Sequence, residues 1–442
     1  MCADKIKQET IFALSSAAGQ AGVAVIRVSG DEVQNVYKIL TKKENIKNRY
    51  VQCNYIYDEK GCPIDQAVTL FFAHPHSFTG EDVLEIQCHG SRAVINAILT
   101  RLGQINGCRM AERGEFTRRA VYNNKMDLTS AEGLIDLIHA DTEAQRKWAV
   151  RQMGGELQKI YDQWREELVH TMAYLEAFID FPEEEIPPEK MAQIDERTRS
   201  LIDKINQHLD DKGRGQSLKN GFQIAIIGAP NVGKSSLINL LAARDVAIVS
   251  ETAGTTRDIV EVYLDVAGYP VVISDTAGLR ETSESIEKEG IRRAIARAEQ
   301  ADLVIVMSLA GHALDEVTAK TAAAAENVLY VSNKIDKYPC QVKDAFAISA
   351  KTQQGIAELW QAIEDKVVDK MSANDSPMLT RMRYKTALSE AAEALKRSLS
   401  VPELELKAEE LRLAARSLGK ITGVVRTEEL LDVIFSSFCI GK

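Results

Sequence analysis

At 442 residues the chain exceeds what one hydrophobic core usually organises, and a hydrophobic content of 45% is enough to build two or three separately folded parts. A formal net charge of −10 excludes capture of nucleic acid by a broad cationic surface, so any RNA contact has to be a local basic patch or depend on a partner. No run approaches the ~18 apolar residues of a membrane span, the start shows no signal-peptide core, and seven scattered cysteines without a CxxC pair read as reduced thiols, so a cytoplasmic protein is expected.

The opening third alternates β-type runs, GVAVIRVSG at 22–30, AVTLFFA at 67–73 and DVLEIQCHG at 82–90, with a helix-like SRAVINAILTRLG at 91–103. An α+β domain over 1–122 follows. It is electrically distinct, with 15 Lys and Arg against 13 Asp and Glu, and its Arg109, Arg113, Arg118, Arg119 with Lys125 nearby read as a solvated basic face. From about Asp127 apolar residues recur at helical spacing through Leu134, Trp148, Leu157, Trp164 and Leu168, and prolines near 182–188 break the run before a helix at roughly 190–211. Lys212-Gly-Arg-Gly reads as a flexible joint.

Residues 218–375 then repeat strand, loop, helix, with strands near 222–227, 260–266, 270–275, 303–308, 327–332 and 345–348. That pattern gives a doubly wound, mostly parallel sheet. Residues 376–442 return to helix, with a break at Pro402. The simplest architecture inserts the α/β domain (218–375) between two helical segments, 123–217 and 376–442, that pack together; a separate C-terminal bundle is the alternative.

Gly228-Ala-Pro-Asn-Val-Gly-Lys-Ser235 matches G-x-x-x-x-G-K-[ST] between an apolar strand and a helix, the context a phosphate loop requires. Backbone N–H groups along Asn231, Val232, Gly233, Lys234, Ser235 and Ser236 would surround phosphates, Lys234 would neutralise β and γ oxygens, and Ser235 would ligate Mg²⁺. Asp275-Thr276-Ala277-Gly278 ends a strand as a γ-phosphate sensor, and Thr256 in the loop Ser250-Glu251-Thr252-Ala253-Gly254-Thr255-Thr256 is the switch hydroxyl that reaches Mg²⁺. Asn333-Lys334-Ile335-Asp336 ends another strand; its carboxylate can accept two hydrogen bonds from guanine that adenine cannot supply, and Ser349-Ala350-Lys351 completes that pocket. Five motifs in this order indicate GTP hydrolysis. Leu279 stands where many GTPases carry a water-orienting glutamine, so a carboxylate between Glu281 and Glu287, or a partner, has to do that work. A monovalent cation near Asn231 could supply missing positive charge.

Together with GVAVIRVSG, FTGEDVLEIQCHG, ERGEFTRRAVYNNKMDL and the terminal Phe438-Cys-Ile-Gly-Lys442, these motifs closely resemble the bacterial MnmE (TrmE) family of tRNA-modification GTPases, over the whole chain. The resemblance implies an N-terminal folate-binding domain that dimerises, a helical domain built from middle and C-terminal segments, and an inserted G domain. It also implies work on tRNA with an FAD-dependent partner, MnmG (GidA), installing a carboxymethylaminomethyl or aminomethyl group on C5 of wobble uridine from a tetrahydrofolate one-carbon unit.

By the same resemblance the folate positions are Arg27, Glu85, Lys125 and Lys442; potassium falls to Asn231 with Ser250, Thr252 and Thr255; and Glu287 matches the water-positioning glutamate. Potassium then promotes pairing of G domains and hydrolysis. Cys439 lies in a floppy C-terminal tetrapeptide and is implicated in the modification reaction. Two rivals remain, an RNA- or ribosome-binding assembly GTPase and a scaffold whose nucleotide state controls dimerisation. Neither predicts folate binding.

Overall fold

The computed structural model describes residues 9–180, 188–211, 213–244, 261–275, 296–338, 344–372, 378–424, 431, 434–436 and 438–441. The chain divides into two compact units. The first comprises Met1–Ile135, Met153–Gln163 and Gly419–Lys442; the second comprises Asp136–Gln152 and Trp164–Leu418.

In the first unit β1 (Thr10–Leu14), β2 (Ala21–Ser29), β3 (Gln52–Tyr57), β4 (Pro63–Phe72), β5 (Val83–Gly90) and β6 (Cys108–Met110) form one sheet in the order β3-β4-β5-β2-β1-β6. Only the β1–β6 pairing is parallel. Period-two alternation decides which way each side chain faces. Ala24, Ile26 and Val28 of β2 and Leu84, Ile86 and Cys88 of β5 are buried against α1 (Val33–Thr41) and α2 (Arg92–Gly103), while Arg27 and Glu85, paired in register, lie on the opposite face. In α1, Val33, Val36, Tyr37 and Leu40 recur at helical spacing and supply the covering stripe.

The opposite face is capped at β1 by Phe116 of α3 (Glu115–Tyr122), which packs with Ile11, Ala13 and Ala111. Gly114 starts that helix at φ +66°, and a Cβ there would lie 2.6 Å from the Phe435 carbonyl oxygen. Only glycine fits both demands. Leu431, Ile434, Phe435 and Phe438 bury against Val121, Leu128, Ala131 and Ile135, joining the end of the chain to this unit. The tail is not floppy: Ile440 pairs with Arg113 as a β-bridge, Ser15 Oγ donates to the Gly441 carbonyl at 2.8 Å, and the Gly114 amide reaches the Cys439 carbonyl at 3.4 Å.

Helices α4 (Leu128–Ile138), α5 (Glu143–Met153), α6 (Glu156–Asp180), α7 (Pro188–Leu209) and α8 (Arg214–Asn220) lead to the second sheet. It is built from β7 (Phe222–Gly228), β8 (Glu261–Val266), β9 (Tyr269–Asp275), β10 (Leu303–Leu309), β11 (Val328–Asn333) and β12 (Phe346–Ile348), in the order β12-β11-β10-β7-β9-β8. All neighbours are parallel except β8 and β9. Near-continuous burial along Ile224–Ile227 and Leu303–Met307 is what a central strand covered on both faces requires. Helices α9 (Lys234–Arg244), α10 (Glu316–Ala324) and α11 (Ile356–Ser372) belong to this α/β part.

After it, α12 (Met382–Ser400) and α13 (Leu404–Thr422) pack back on the earlier helices, through Lys385 to Asp211 at 3.0 Å, Lys407 to Asp195 at 2.6 Å and Gln152 to the Tyr384 hydroxyl at 3.2 Å. The reading of 212–215 as a flexible joint is corrected for residues 213–215, while Lys212 lies outside the described residues. Asp211 accepts from the Gly213 and Gly215 amides, Arg214 is buried, and a Cβ on Gly215 would lie 2.4 Å from the Leu379 carbonyl oxygen.

Candidate functional site

The phosphate loop follows β7, whose buried residues hold it between β9 and β10, and runs into the N-terminus of α9 at the carboxyl end of the parallel strands. That is where an open α/β sheet presents ligands. Gly228, at φ +152°, passes so close to Met307 that a Cβ would lie 2.3 Å from its carbonyl oxygen, and a Cβ on Gly233 would come equally close to Asn333 Nδ2. Asn231 takes φ +63° and Val232 is buried. Lys234 Nζ donates to the Gly228 and Ala229 carbonyls at 2.7 and 3.0 Å, inside the loop's own turn, and Ser235 and Ser236 are exposed at the start of the helix.

The guanine-side motifs are bonded to this loop rather than merely near it. Buried Asn333 donates from Nδ2 to the Val232 carbonyl at 2.7 Å, and its Oδ1 accepts from the Lys334 and Ala350 amides at 2.7 and 3.0 Å. Lys334 Nζ reaches the Asn231 carbonyl at 2.8 Å, and the Ile335 amide bonds the Ile348 carbonyl at 3.2 Å. Ser349 Oγ donates to Asp336 Oδ1 at 2.7 Å while accepting from the Thr352 amide, and Lys351 is exposed beside it. The Ser349 hydrogen bond holds the exposed Asp336 carboxyl below its ordinary range, so it stays an acceptor at neutral pH. One asparagine thus ties the ends of β7, β11 and β12 into a single rigid cradle.

Ser250, Glu251, Thr252, Ala253, Gly254, Thr255 and Thr256, and likewise Thr276, Ala277, Gly278, Leu279, Glu287 and Lys442, lie outside the described residues. Asp275 is described only as the backbone end of β9, next to β7.

In the first unit Arg27 and Glu85 are brought together, Nε and Nη2 of Arg27 both donating to Glu85 Oε1 at 3.1 and 2.9 Å. The guanidinium stacks 5.0 Å from the Phe78 ring centroid and 5.8 Å from that of Phe116. The loop carrying Phe78 is fixed from both sides. Lys125 Nζ donates to the Pro75 carbonyl at 2.8 Å and Asn123 to the Thr79 carbonyl at 2.7 Å, while Ser29 Oγ meets Thr79 Oγ1 and Glu81 Oε2, each at 2.7 Å.

Glu81 in turn accepts from Arg119, which also bonds Glu115, itself held by Arg109. Burial alone would raise the Glu115 carboxyl, but the Arg109 and Arg119 bonds outweigh it and keep it below the ordinary value. Arg109 and Arg119 therefore spend their charge inside an ion network, and Arg119 is buried, which corrects the solvated basic face read from the sequence. Residue-type patterns missed Phe78, Glu81 and Ser29; the signal available was the HPHSFTGED loop between two strong strands. Cys439 is exposed, whereas burial pushes the Cys88 and Cys108 thiols up to about 11. Among the described residues no three His, Cys, Asp or Glu side chains gather as a metal cage, and no helix is long and apolar enough to cross a membrane.

Two family profiles match the chain, one described as the MnmE helical domain over residues 128–439 and one as the GTP-binding protein TrmE N-terminus over residues 10–125. Among curated proteins, a tRNA modification GTPase MnmE of Parvibaculum lavamentivorans is 49% identical, covering 98% of this chain and 100% of that protein. Its namesake in Rhodospirillum rubrum is 44% identical over 98% of this chain and 99% of its own. Among solved structures, the FeoB G domain of Methanococcus jannaschii is 26% identical, covering 33% of this chain and 97% of that one with a TM-score of 0.26.

Proposed function

The chain belongs to the MnmE family of tRNA-modification GTPases, and from that membership we propose that it hydrolyses GTP in the service of tRNA modification. The finer reading is that, with an FAD-dependent partner, it adds a carboxymethylaminomethyl or aminomethyl group to C5 of wobble uridine. The carbon comes from a tetrahydrofolate derivative, and the protein acts as a homodimer whose GTPase is stimulated by potassium.

The observation that carries the nucleotide part is the Asn333 cradle, which joins the phosphate loop to Asp336 and Ser349. In this reading the amides of Asn231–Ser236 receive the phosphates at the positive end of α9, and Lys234 exchanges its carbonyl acceptors for phosphate oxygens. Asp336 accepts from guanine N1–H and the exocyclic amine. Ser235 and Thr256 would hold Mg²⁺, which neutralises charge on the β and γ oxygens. Asn231, Ser250, Thr252 and Thr255 would hold K⁺, and Glu287 would orient water.

The Arg27–Glu85 pair supports the folate part: it is half-buried and flanked by two aromatic rings, and both Arg27 bonds fall on Glu85 Oε1. Opposite charges beside rings suit a pterin, with Lys125 and Lys442 for the glutamate tail.

The test is mass spectrometry of tRNA nucleosides from cells lacking the protein, complemented with wild type or with Asp336→Asn. Modified wobble uridines return only with wild type. Unchanged nucleosides in the deleted strain would sink the modification reading and leave a GTPase of another kind. In vitro, Asp336→Asn lowers kcat/KM for GTP by roughly 10²- to 10⁴-fold, the loss of two charge-assisted hydrogen bonds, and shifts preference to XTP, whose C2 oxygen accepts from the new amide.

A further inference from the structure

Residues 38–57 carry five cationic side chains, Lys38, Lys42, Lys43, Lys47 and Arg49, against one carboxylate, Glu44, in a chain whose net charge is −10. The fold strings them along the edge of the N-terminal sheet. Strand β3 is outermost, and after α1 ends the connection runs back beside it. Lys42 Nζ reaches the Gly61 carbonyl at the hairpin tip at 3.1 Å, Lys43 Nζ reaches Asn54 Oδ1 in mid-strand at 2.6 Å, and Arg49 reaches the His76 carbonyl at 3.0 Å. Six strand residues make this line roughly 20 Å long.

What the cations bond decides their use. Lys42, Lys43 and Arg49 end on neutral carbonyl oxygens, and among the described residues only Lys38 of the five meets a carboxylate, Glu44 at 2.7 Å. Lys42 and Lys47 rest on the rings of Tyr57 and Tyr50, at 3.9 and 5.1 Å from the centroids. The nearest acidic run, Asp58 and Glu59, is confined to the hairpin tip, where Asp58 caps the Cys62 amide at 2.7 Å. The contrast with Arg109 and Arg119, cancelled by Glu9, Glu81 and Glu115, is direct. Tyr50 and Tyr55 beside the line are 55% and 51% exposed.

Lysines also guard an edge strand against pairing with another sheet. Exposed Tyr50, Val51 and Tyr55 work against that task, whereas cations beside exposed tyrosines suit phosphates and unstacked bases. We propose that this ridge binds the tRNA, its cations on the phosphate backbone and its tyrosines on bases. The inference rests on the tRNA-modification reading and gives it a surface.

Fluorescence anisotropy of the full chain with a 3′-fluorescein-labelled, unmodified tRNA transcript bearing uridine at the wobble position, from 50 to 200 mM salt, tests it. The triple variant Lys43→Gln, Lys47→Gln, Arg49→Gln binds at least about tenfold more weakly and loses roughly two to three from the slope of log K against log salt, with GTP hydrolysis unchanged. Tyr50→Ala with Tyr55→Ala weakens binding about fivefold or more at unchanged slope. Arg146→Gln, Lys147→Gln, Lys320→Gln, whose cations sit against Glu143 and Glu316, is neutral. Wild-type affinity and slope in the ridge triple overturn the proposal, as does a changed sedimentation coefficient with intact tRNA affinity, which makes the ridge an edge guard or a protein interface. No wild-type binding to the transcript overturns it too. The reading beneath it fails by a separate result, unchanged nucleosides in cells lacking the protein.

Discussion

Asn333 shows how much one side chain can organise. It is 1% exposed, fills the space that Gly233 vacates, and satisfies partners 101 and 17 residues away. Asn333→Ala removes the partner of the buried Val232 carbonyl and of the half-buried Lys334 and Ala350 amides, a cost of about 1–3 kcal/mol for each group left unpaired, and is expected to raise the Kd for GDP ten- to a hundredfold, measured by mant-nucleotide titration. His208 makes a different kind of prediction. Burial against Trp164, with ring centroids 5.6 Å apart, lowers its pKa to about 4 although Asp211 pulls the other way.

Between pH 6.5 and 4 the unfolded chain therefore binds a proton that the folded one refuses, so the folded state loses stability as pH falls through that window and keeps it above. The full difference is about 3 kcal/mol. His208→Gln is expected to flatten the fall in thermal midpoint between pH 7 and 4.5; an unchanged slope would show that other groups control it. The membership of Asn333 in a nucleotide motif is legible in sequence because that motif is contiguous, whereas its bonds to Val232 and Ala350 are not. The environment of His208 is not, because Trp164 lies on another helix.

At the scale of elements, the strands that sequence periodicity marks, 22–30, 67–73 and 82–90, are there as β2, β4 and β5. Strands β1, β3 and β6 escape it for physical reasons. β3 places a polar Asn54 at a core position, satisfied by Thr69 Oγ1 at 2.8 Å, and β6 is only three residues long. The six strands of the second sheet are readable almost to the residue, and four of them, β7, β9, β11 and β12, lead into a motif with a chemical task. Helix α3 is the element whose start is most constrained. Gly114→Ala meets both a positive φ and the Phe435 carbonyl, and is expected to cost roughly 2–4 kcal/mol. Limited trypsin digestion should then cut after Lys420 faster than in wild type, with nucleotide affinity retained; equal rates would show that the tail holds without this junction.

Across the whole molecule, composition gives the number of parts and the motif order gives the nucleotide part, but the membership of the first unit cannot be read from the chain's linear order. Its ion network joins Glu9 to Arg109 and Glu81 to Arg119, and its second core joins Val121 to Phe438. Contacts of such separation leave no local pattern. The N-terminal charge surplus is visible in the sequence, but which cations are neutralised is not: Arg109 and Arg119 sit in ion pairs, whereas Lys42, Lys43 and Arg49 end on neutral oxygens.

The pinned tail has a consequence for biosynthesis. Residues up to Ile135 leave the ribosome well before the side chains that complete their packing, Leu431, Ile434, Phe435 and Phe438. Helices α3 and α4 must wait, partly uncovered, through the synthesis of some three hundred intervening residues. A chain truncated before Leu431 would therefore carry its damage some three hundred residues upstream, where quality-control proteases would find Val121 and Leu128 uncovered.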